Sequence, residues 1–140
     1  MQVREVDVAI IGAGTAGMTA YRIAREHTDN LLVIESSHYG TTCARVGCMP
    51  SKLLIAAAEV NHQISEAGKF GIDVSSSTVD GARVMARVKA ERDRFVGFVE
   101  EAVDDWPAEH KLWGKAKFVG PNELMVDGGV RVIAKRIVIA

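Results

Sequence analysis

Apolar and polar positions change their period along the chain, and each change marks a different kind of element. Val6-Asp7-Val8-Ala9-Ile10-Ile11 is a short, almost continuous apolar run, as expected for a parallel strand covered on both faces. A glycine-rich stretch interrupts it, and Ala16, Ala20, Ile23, Ala24 and His27 then recur at helical spacing. Leu31-Leu32-Val33-Ile34-Glu35 reads as a second strand, followed by a loop from Ser36 to Tyr39. Lys52 to Ile64 predicts a helix whose Leu53 to Ala58 portion is apolar enough to be mostly buried. Gly68 to Thr78 is a break rich in Gly and Ser. A long helix follows from about Val79 to Asp105, with Val84, Val88, Phe95, Val99 and Val103 marking one face. Arg83, Lys89, Glu91 and Glu100 lie on or near the other, as a solvated or partner-facing surface.

From Lys111 the period becomes two. Trp113–Val119, Leu124–Val126 and Val130–Val132 predict short strands separated by Gly120-Pro121-Asn122 and Asp127-Gly128-Gly129. Those separators are turn chemistry, so the strands are expected to form an antiparallel meander. Lys135 and Arg136 then lead into a last parallel strand. The chain stops at Ile137-Val138-Ile139-Ala140, inside that apolar run, and a longer protein is expected to continue from there.

The first interruption carries candidate chemistry. Gly12-Ala13-Gly14-Thr15-Ala16-Gly17 is a Gly-x-Gly-x-x-Gly stretch between strand and helix, and Glu35 ends the next strand. Alone, such glycines are a weak signal; in this context they are a dinucleotide-binding fingerprint. Gly12 makes the tight turn, Gly14 lets backbone approach a pyrophosphate, and Gly17 permits close packing of helix on strand. The helix N-terminus offers N–H groups and partial positive charge to the phosphates. Glu35 can accept hydrogen bonds from ribose hydroxyls and would repel a 2′-phosphate.

Composition adds mainly exclusions. The 140 residues are 48% apolar and 25% charged with a net charge of −1, which suits one soluble domain and gives no sign of a nucleic-acid or membrane partner. No apolar run approaches the roughly 20 residues of a membrane span. Met1 to Glu5 leads straight into a strand pattern without a signal-peptide core, so a cytoplasmic location is expected.

The cysteines, Cys43 and Cys48, share one segment, Gly40-Thr41-Thr42-Cys43-Ala44-Arg45-Val46-Gly47-Cys48-Met49-Pro50-Ser51-Lys52. Gly, Thr and Arg are poor core company, which weakens a reading as buried structural thiols. No second cysteine pair or His-x3-5-His spacing completes a zinc site, so no metal is expected. A redox-active dithiol is the third reading, and the segment alone leaves all three open.

The fingerprint at the start, followed by Cys-x4-Cys with Pro-Ser-Lys behind it, resembles the FAD-dependent pyridine nucleotide–disulfide oxidoreductases, most of all those of dihydrolipoamide dehydrogenase type, with glutathione and mercuric reductases as cousins. The resemblance spans the whole chain. It implies an α/β fold: a Rossmann-like FAD-binding domain with a parallel sheet, flanking helices and an antiparallel β-meander. Residues 1–140 would be its incomplete FAD-binding domain, with the family's NAD(P)-binding and carboxy-terminal dimerisation domains lying outside this sequence. The implied activity is oxidation of a dithiol, small or lipoyl, with transfer to NAD+ in a homodimer. An NAD(P)H-dependent disulfide or mercuric-ion reductase is the alternative within the family. A redox sensor that binds nucleotide without turnover is the alternative outside it.

By the same resemblance, Cys43 and Cys48 form the redox disulfide. Cys48 is the thiol nearer the flavin, Cys43 the interchange thiol that meets substrate, and Lys52 the lysine beside flavin N5. Thr42 corresponds to the threonine near the pyrophosphate, and Ala116 to the position whose backbone touches adenine. The remaining implied FAD contacts are Gly12, Gly14, Thr15, Ala16, Gly17, Glu35, Ser36, Gly40 and Thr41. Two residues depart from the family pattern: Thr41 replaces a glycine and Arg45 an asparagine. Arg45 adds a fixed charge near the disulfide, which favours a lowered thiol pKa or an acidic substrate. None of the four histidines is expected to stand in for the family's catalytic histidine, which comes from the partner subunit. Residues five apart on a regular helix are about 7.5 Å apart along its axis, beyond the roughly 7 Å limit for a disulfide. If the two cysteines pair, the backbone between them must leave the helix. Gly47 and Pro50 are the means, and the regular helix is expected only by about Lys52.

Overall fold

The computed structural model describes residues 2–140. The chain divides into two compact units. One comprises the residues up to Thr41 and those from Val99 onward; the other is Thr42–Phe98.

The first unit is built on a six-stranded sheet. Its strands are β1 (Gln2–Ile11), β2 (Leu31–Glu35), β3 (Lys111–Trp113), β4 (Ala116–Gly120), β5 (Glu123–Val126) and β6 (Val130–Ile139). The order is β3-β2-β1-β6-β5-β4, parallel from β3 to β6 and antiparallel from β6 to β4. Helix α1 (Thr15–Arg25) connects β1 to β2. The continuous apolar run of β2 is explained by burial on both faces: Leu32 and Ile34 join one core cluster, Leu31 and Val33 the other. Each such side chain contributes about 1.5–3 kcal/mol relative to exposure. Leu124 and Val126 of β5 share the first cluster with β2, although two strands separate them in the sheet. The second cluster packs α1 through Tyr21, whose ring stacks on Trp106 with centroids 3.8 Å apart.

The meander differs from the predicted one. Trp113 to Val119 is not one strand: it breaks at Gly114, whose φ of +150° suits glycine. The Gly114 N–H donates to the Glu35 carbonyl at 2.9 Å, and the Lys115 N–H to the Asp127 carboxylate at 3.0 Å. These partners turn the chain, leaving β3 parallel to β2 and β4 antiparallel to β5. Val130–Val132 and the last strand, by contrast, are one element. β6 bends past Lys135 without interruption, since Lys135 lies on the sheet surface and pairs with Asp7 at 2.6 Å. That lysine, then the Thr28 hydroxyl at 2.6 Å, hold the Asp7 carboxyl below its ordinary pKa. β1 likewise starts earlier than Val6, because Gln2 to Val6 find backbone partners along β6.

The second unit contains α2 (Thr42–Val46), α3 (Cys48–Glu66), a 3-10 turn (Ala67–Phe70) and most of α4 (Gly81–Asp104). Asp80 caps α4 by accepting the Arg83 N–H at 3.0 Å. α3 is not mostly buried as predicted: none of its residues is buried, and Leu54 and Ile55 are exposed. A helix apolar over so wide an arc has more apolar surface than one neighbouring helix covers. Among the described residues, no helix is long and apolar enough to cross a membrane.

A Cβ added at Gly17 would sit 1.9 Å from the Gly12 carbonyl oxygen. Gly17→Ala is therefore expected to destabilise the full-length protein by roughly 1–3 kcal/mol or more. Thermal unfolding checks this; an unchanged Tm would mean that the turn opens freely.

Candidate functional site

The glycine turn is assembled by backbone contacts that leave no room for side chains. Gly12 has φ +103°, and its N–H donates to the Ile34 carbonyl at 2.8 Å. A Cβ there would meet the Ala140 carbonyl oxygen at 2.3 Å. Gly14 differs: nothing in the protein lies within 4 Å of where its Cβ would be. The space over Gly14 is thus open to a ligand. α1 begins one residue later, with no side-chain cap and no acidic residue in its first turn. Thr15 and Ala16 are exposed on that turn. The arrangement suits a diphosphate, which the N–H groups and dipole of the helix end favour. It fits the phosphate half of a dinucleotide such as FAD.

Glu35 does more than the sequence suggests. One carboxylate oxygen accepts the Ala13 N–H at 2.8 Å, and the other accepts the Ser36 and Ser37 N–H groups, both at 2.8 Å. A carboxylate offers about four acceptor positions, so this backbone cradle leaves room for a hydroxyl and fixes its direction. Gly40, at φ +101°, donates its N–H to the Ala13 carbonyl at 3.0 Å and ties the following loop to the turn. The loop's Tyr39 hydroxyl has its pKa raised, by burial first and by Glu35 second. Ala116 opens β4 just beyond the Gly114 turn that is bonded to Glu35. Gly12, Gly14, Thr15, Ala16, Gly17, Glu35, Ser36, Gly40, Thr41 and Ala116 all belong to the first unit. Trp113, in register with Glu35 on β3, escapes notice in the sequence, where it reads only as a strand residue.

Thr42, Cys43, Cys48 and Lys52 belong to the second unit. Cys43 and Cys48 are joined in a disulfide with Cα atoms 4.8 Å apart. The helix break required for this is at Gly47, whose φ of −122° and ψ of −110° separate α2 from α3. Pro50 contributes no break. It is the third residue of α3, where an N–H would have no helical acceptor anyway. α3 consequently starts at Cys48 rather than near Lys52. Ser51 bridges the start, donating its N–H to the Gly47 carbonyl at 3.3 Å and its hydroxyl to the Cys48 carbonyl at 3.0 Å.

This geometry makes the two sulfurs unequal. Once reduced, Cys48 stands at the N-terminus of a 19-residue helix, where the dipole favours a thiolate. Lys52 lies four residues on, along the same helix face. Cys43 sits in a helix of only five residues. Cys48 is therefore the better leaving group, and a nucleophile gains most by attacking Cys43. The histidines stand apart from this chemistry. His110 is buried, with Nδ1 3.0 Å from the Tyr21 hydroxyl and Nε2 2.9 Å from the Asp29 carbonyl.

Residues 6–140 match the family model described as pyridine nucleotide-disulphide oxidoreductase. The chain is 32% identical to a glutathione reductase of Burkholderia cepacia, over 100% of this chain and 31% of that one. It is 32% identical to a dihydrolipoyl dehydrogenase of Mycoplasma pneumoniae, over 96% of this chain and 29% of that one. It is 35% identical to a mercuric reductase of Shigella flexneri, over 91% of this chain and 23% of that one. The solved structure of the HOCl-induced flavoprotein disulfide reductase RclA from Escherichia coli aligns with a TM-score of 0.70 at 26% identity, covering 96% of this chain and 27% of that one. The chain thus spans about a third or less of the length of the relatives it matches.

Because Glu35 holds three backbone N–H groups, its removal has a cost even without ligand. Glu35→Ala is expected to lower the stability of the flavin-free full-length protein by roughly 1.5–3 kcal/mol, in addition to loosening FAD. Denaturant melts of the flavin-stripped protein check the first effect. Wild-type stability in Glu35→Ala would show that the cradle carries no load.

Proposed function

The chain belongs to the pyridine nucleotide-disulphide oxidoreductase family, and on that footing we propose that the full-length protein is a FAD-dependent dithiol oxidoreductase of dihydrolipoyl dehydrogenase type. The observation that carries this reading is the Cys43–Cys48 disulfide closed across Gly47, with Cys48 alone heading a long helix. A substrate thiolate attacks Cys43, forming a mixed disulfide and releasing Cys48 as thiolate. The second substrate thiol then attacks the substrate sulfur of that mixed disulfide and releases Cys43. The substrate leaves as its disulfide, oxidised by two electrons, and the Cys43–Cys48 disulfide is reduced to the dithiol by the same two electrons. Lys52 and the α3 N-terminus hold the negative charge on Cys48.

The glycine turn, the open space at Gly14 and the cradled Glu35 support FAD as the group held by the first unit. Gly12, Gly14, Gly17 and the first turn of α1 would take its diphosphate, and Glu35 a ribose hydroxyl. Bound FAD would supply a two-electron carrier between the thiol pair and NAD(P). We further propose that the length beyond this chain supplies the nicotinamide-binding and dimerisation domains of a cytoplasmic homodimer.

A second reading has an observation of its own. The glutathione reductase and mercuric reductase relatives are as similar to the chain as the dihydrolipoyl dehydrogenase, and Arg45 brings a cation into the segment between the cysteines. In that reading the same thiols run in reverse, reducing a disulfide or mercuric ion at the expense of NAD(P)H. A nucleotide-binding redox sensor without turnover is the reading from another class.

Parallel assays of the full-length protein with dihydrolipoamide and NAD+, and with glutathione disulfide or mercuric ion and NAD(P)H, separate these readings. Turnover fastest with dihydrolipoamide is expected. Turnover only in the reductive direction would favour the second reading, and a colourless, inactive protein the sensor.

The two cysteines are expected to respond differently to replacement in the flavin-loaded protein. Cys43→Ser should show a long-wavelength absorption band from the Cys48 thiolate beside the oxidised flavin, without turnover. Cys48→Ser should lack the band. The reverse pattern would exchange the roles of the two thiols.

A further inference from the structure

We propose that Trp113 is the platform on which the adenine ring of the bound dinucleotide stacks. This rests on the reading that Glu35 receives the adenosine ribose, and adds the residue that holds the base. Trp113 and Glu35 are paired in register across the parallel β2–β3 ladder. Their side chains therefore leave the same face of the sheet from strands about 4.8 Å apart. The pair is pinned by the Gly114 N–H, which donates to the Glu35 carbonyl at 2.9 Å.

The indole is 57% exposed, although an aromatic side chain has a large apolar area to bury. Trp106 shows the ordinary solution in this protein, stacked on Tyr21. Trp113 instead has a tilted neighbour in Tyr39, with centroids 5.7 Å apart and ring planes at 54°, and more than half of the indole stays open to solvent. Beside the two rings is a cavity of about 250 Å³, bounded also by Ser37, His38, Glu100 and Asp104. Ser37 is one of the residues whose N–H donates to the Glu35 carboxylate, so the cavity adjoins the ribose-holding group. In an adenosine, the base is attached one ring atom from the hydroxyl that such a carboxylate takes. Ribose on Glu35 thus brings the base to the Trp113–Tyr39 edge. The acidic rim accepts N–H donors, and the exocyclic amine of adenine is one.

The test uses the full-length protein stripped of flavin. ADP, which carries the adenosine but no isoalloxazine, is titrated in while tryptophan fluorescence is followed. Quenching is expected in the wild type and in Trp106→Phe, and its loss in Trp113→Phe. For FAD itself, Trp113→Ala is expected to raise Kd at least about fivefold, and Trp113→Phe much less, since base stacking on an aromatic ring is typically worth that much or more. Wild-type FAD affinity in Trp113→Ala overturns the proposal. So does quenching that survives in Trp113→Phe, which would reduce Trp113 to a packing residue. The underlying reading fails separately. If the wild type takes up neither FAD nor ADP, the dinucleotide site is wrong and the platform falls with it. If FAD binds and Glu35→Gln weakens it while Trp113→Ala does not, only the platform falls.

Discussion

The first unit depends on one close approach of backbone to backbone. The Gly12 carbonyl lies against Gly17 so tightly that no Cβ fits between them, and Ala140 closes on Gly12 from β6. This contact sets the distance between β1 and α1. The Gly12 N–H is bonded to the end of β2, and the Ala140 N–H donates to the Ile11 carbonyl at 2.9 Å. The ends of β1, β2 and β6 therefore converge on two glycines. Glu35 and the Gly40 loop are mounted on that convergence, because the Ala13 N–H and carbonyl, held in the same turn, reach Glu35 and Gly40. Such a site is preorganised by main-chain atoms, which have few conformations to lose on binding.

The second unit solves a different problem with fewer parts. A dithiol must close into a ring without strain and open without losing its position. Here the ring is closed by ending one helix and beginning another, with Gly47 as the only residue outside both. The hydrogen bonds of Ser51 hold the start of α3 from within the helix, independently of the sulfur bond. Reduction can then release the sulfurs while Cys48 keeps its helix N-terminus and Lys52 its place one turn on.

Much of this was legible in the sequence because it is local. The glycine turn, β2 and the Cys-x4-Cys break follow from residues within a few positions of one another. What was misread depends on partners far along the chain. Gly114 breaks the Trp113–Val119 run because Glu35 and Asp127 take the neighbouring N–H groups, which no local period reveals. Lys135 looked like a separator before the last strand, yet Asp7 accepts it on the sheet surface and β6 continues. Pro50 looked like a helix breaker but sits where helices tolerate proline. Glu35 was recognised as an acceptor for ligand, while its three backbone bonds were invisible. The apolar stretch of α3 predicts burial that the structure does not show, because burial depends on what surrounds a helix and not on its composition alone.

The substrate was the least legible feature, for a reason that belongs to the chemistry itself. Thiol–disulfide exchange at such a pair makes and breaks the same bonds in both directions, so the geometry of Cys43 and Cys48 is compatible with a dehydrogenase-like or a reductase-like role. Direction is decided by potentials: for a two-electron couple, about 30 mV corresponds to 1.4 kcal/mol, or tenfold in the equilibrium constant. A few charges near the sulfurs are enough to move a dithiol by that amount. Arg45, in the segment between the cysteines, is such a charge, and Lys52, four residues after Cys48, is a second. Relatives named for opposite directions of electron flow can therefore share this disulfide segment. Charges around the Cys43–Cys48 ring, together with the group that presents the substrate, are what distinguish them.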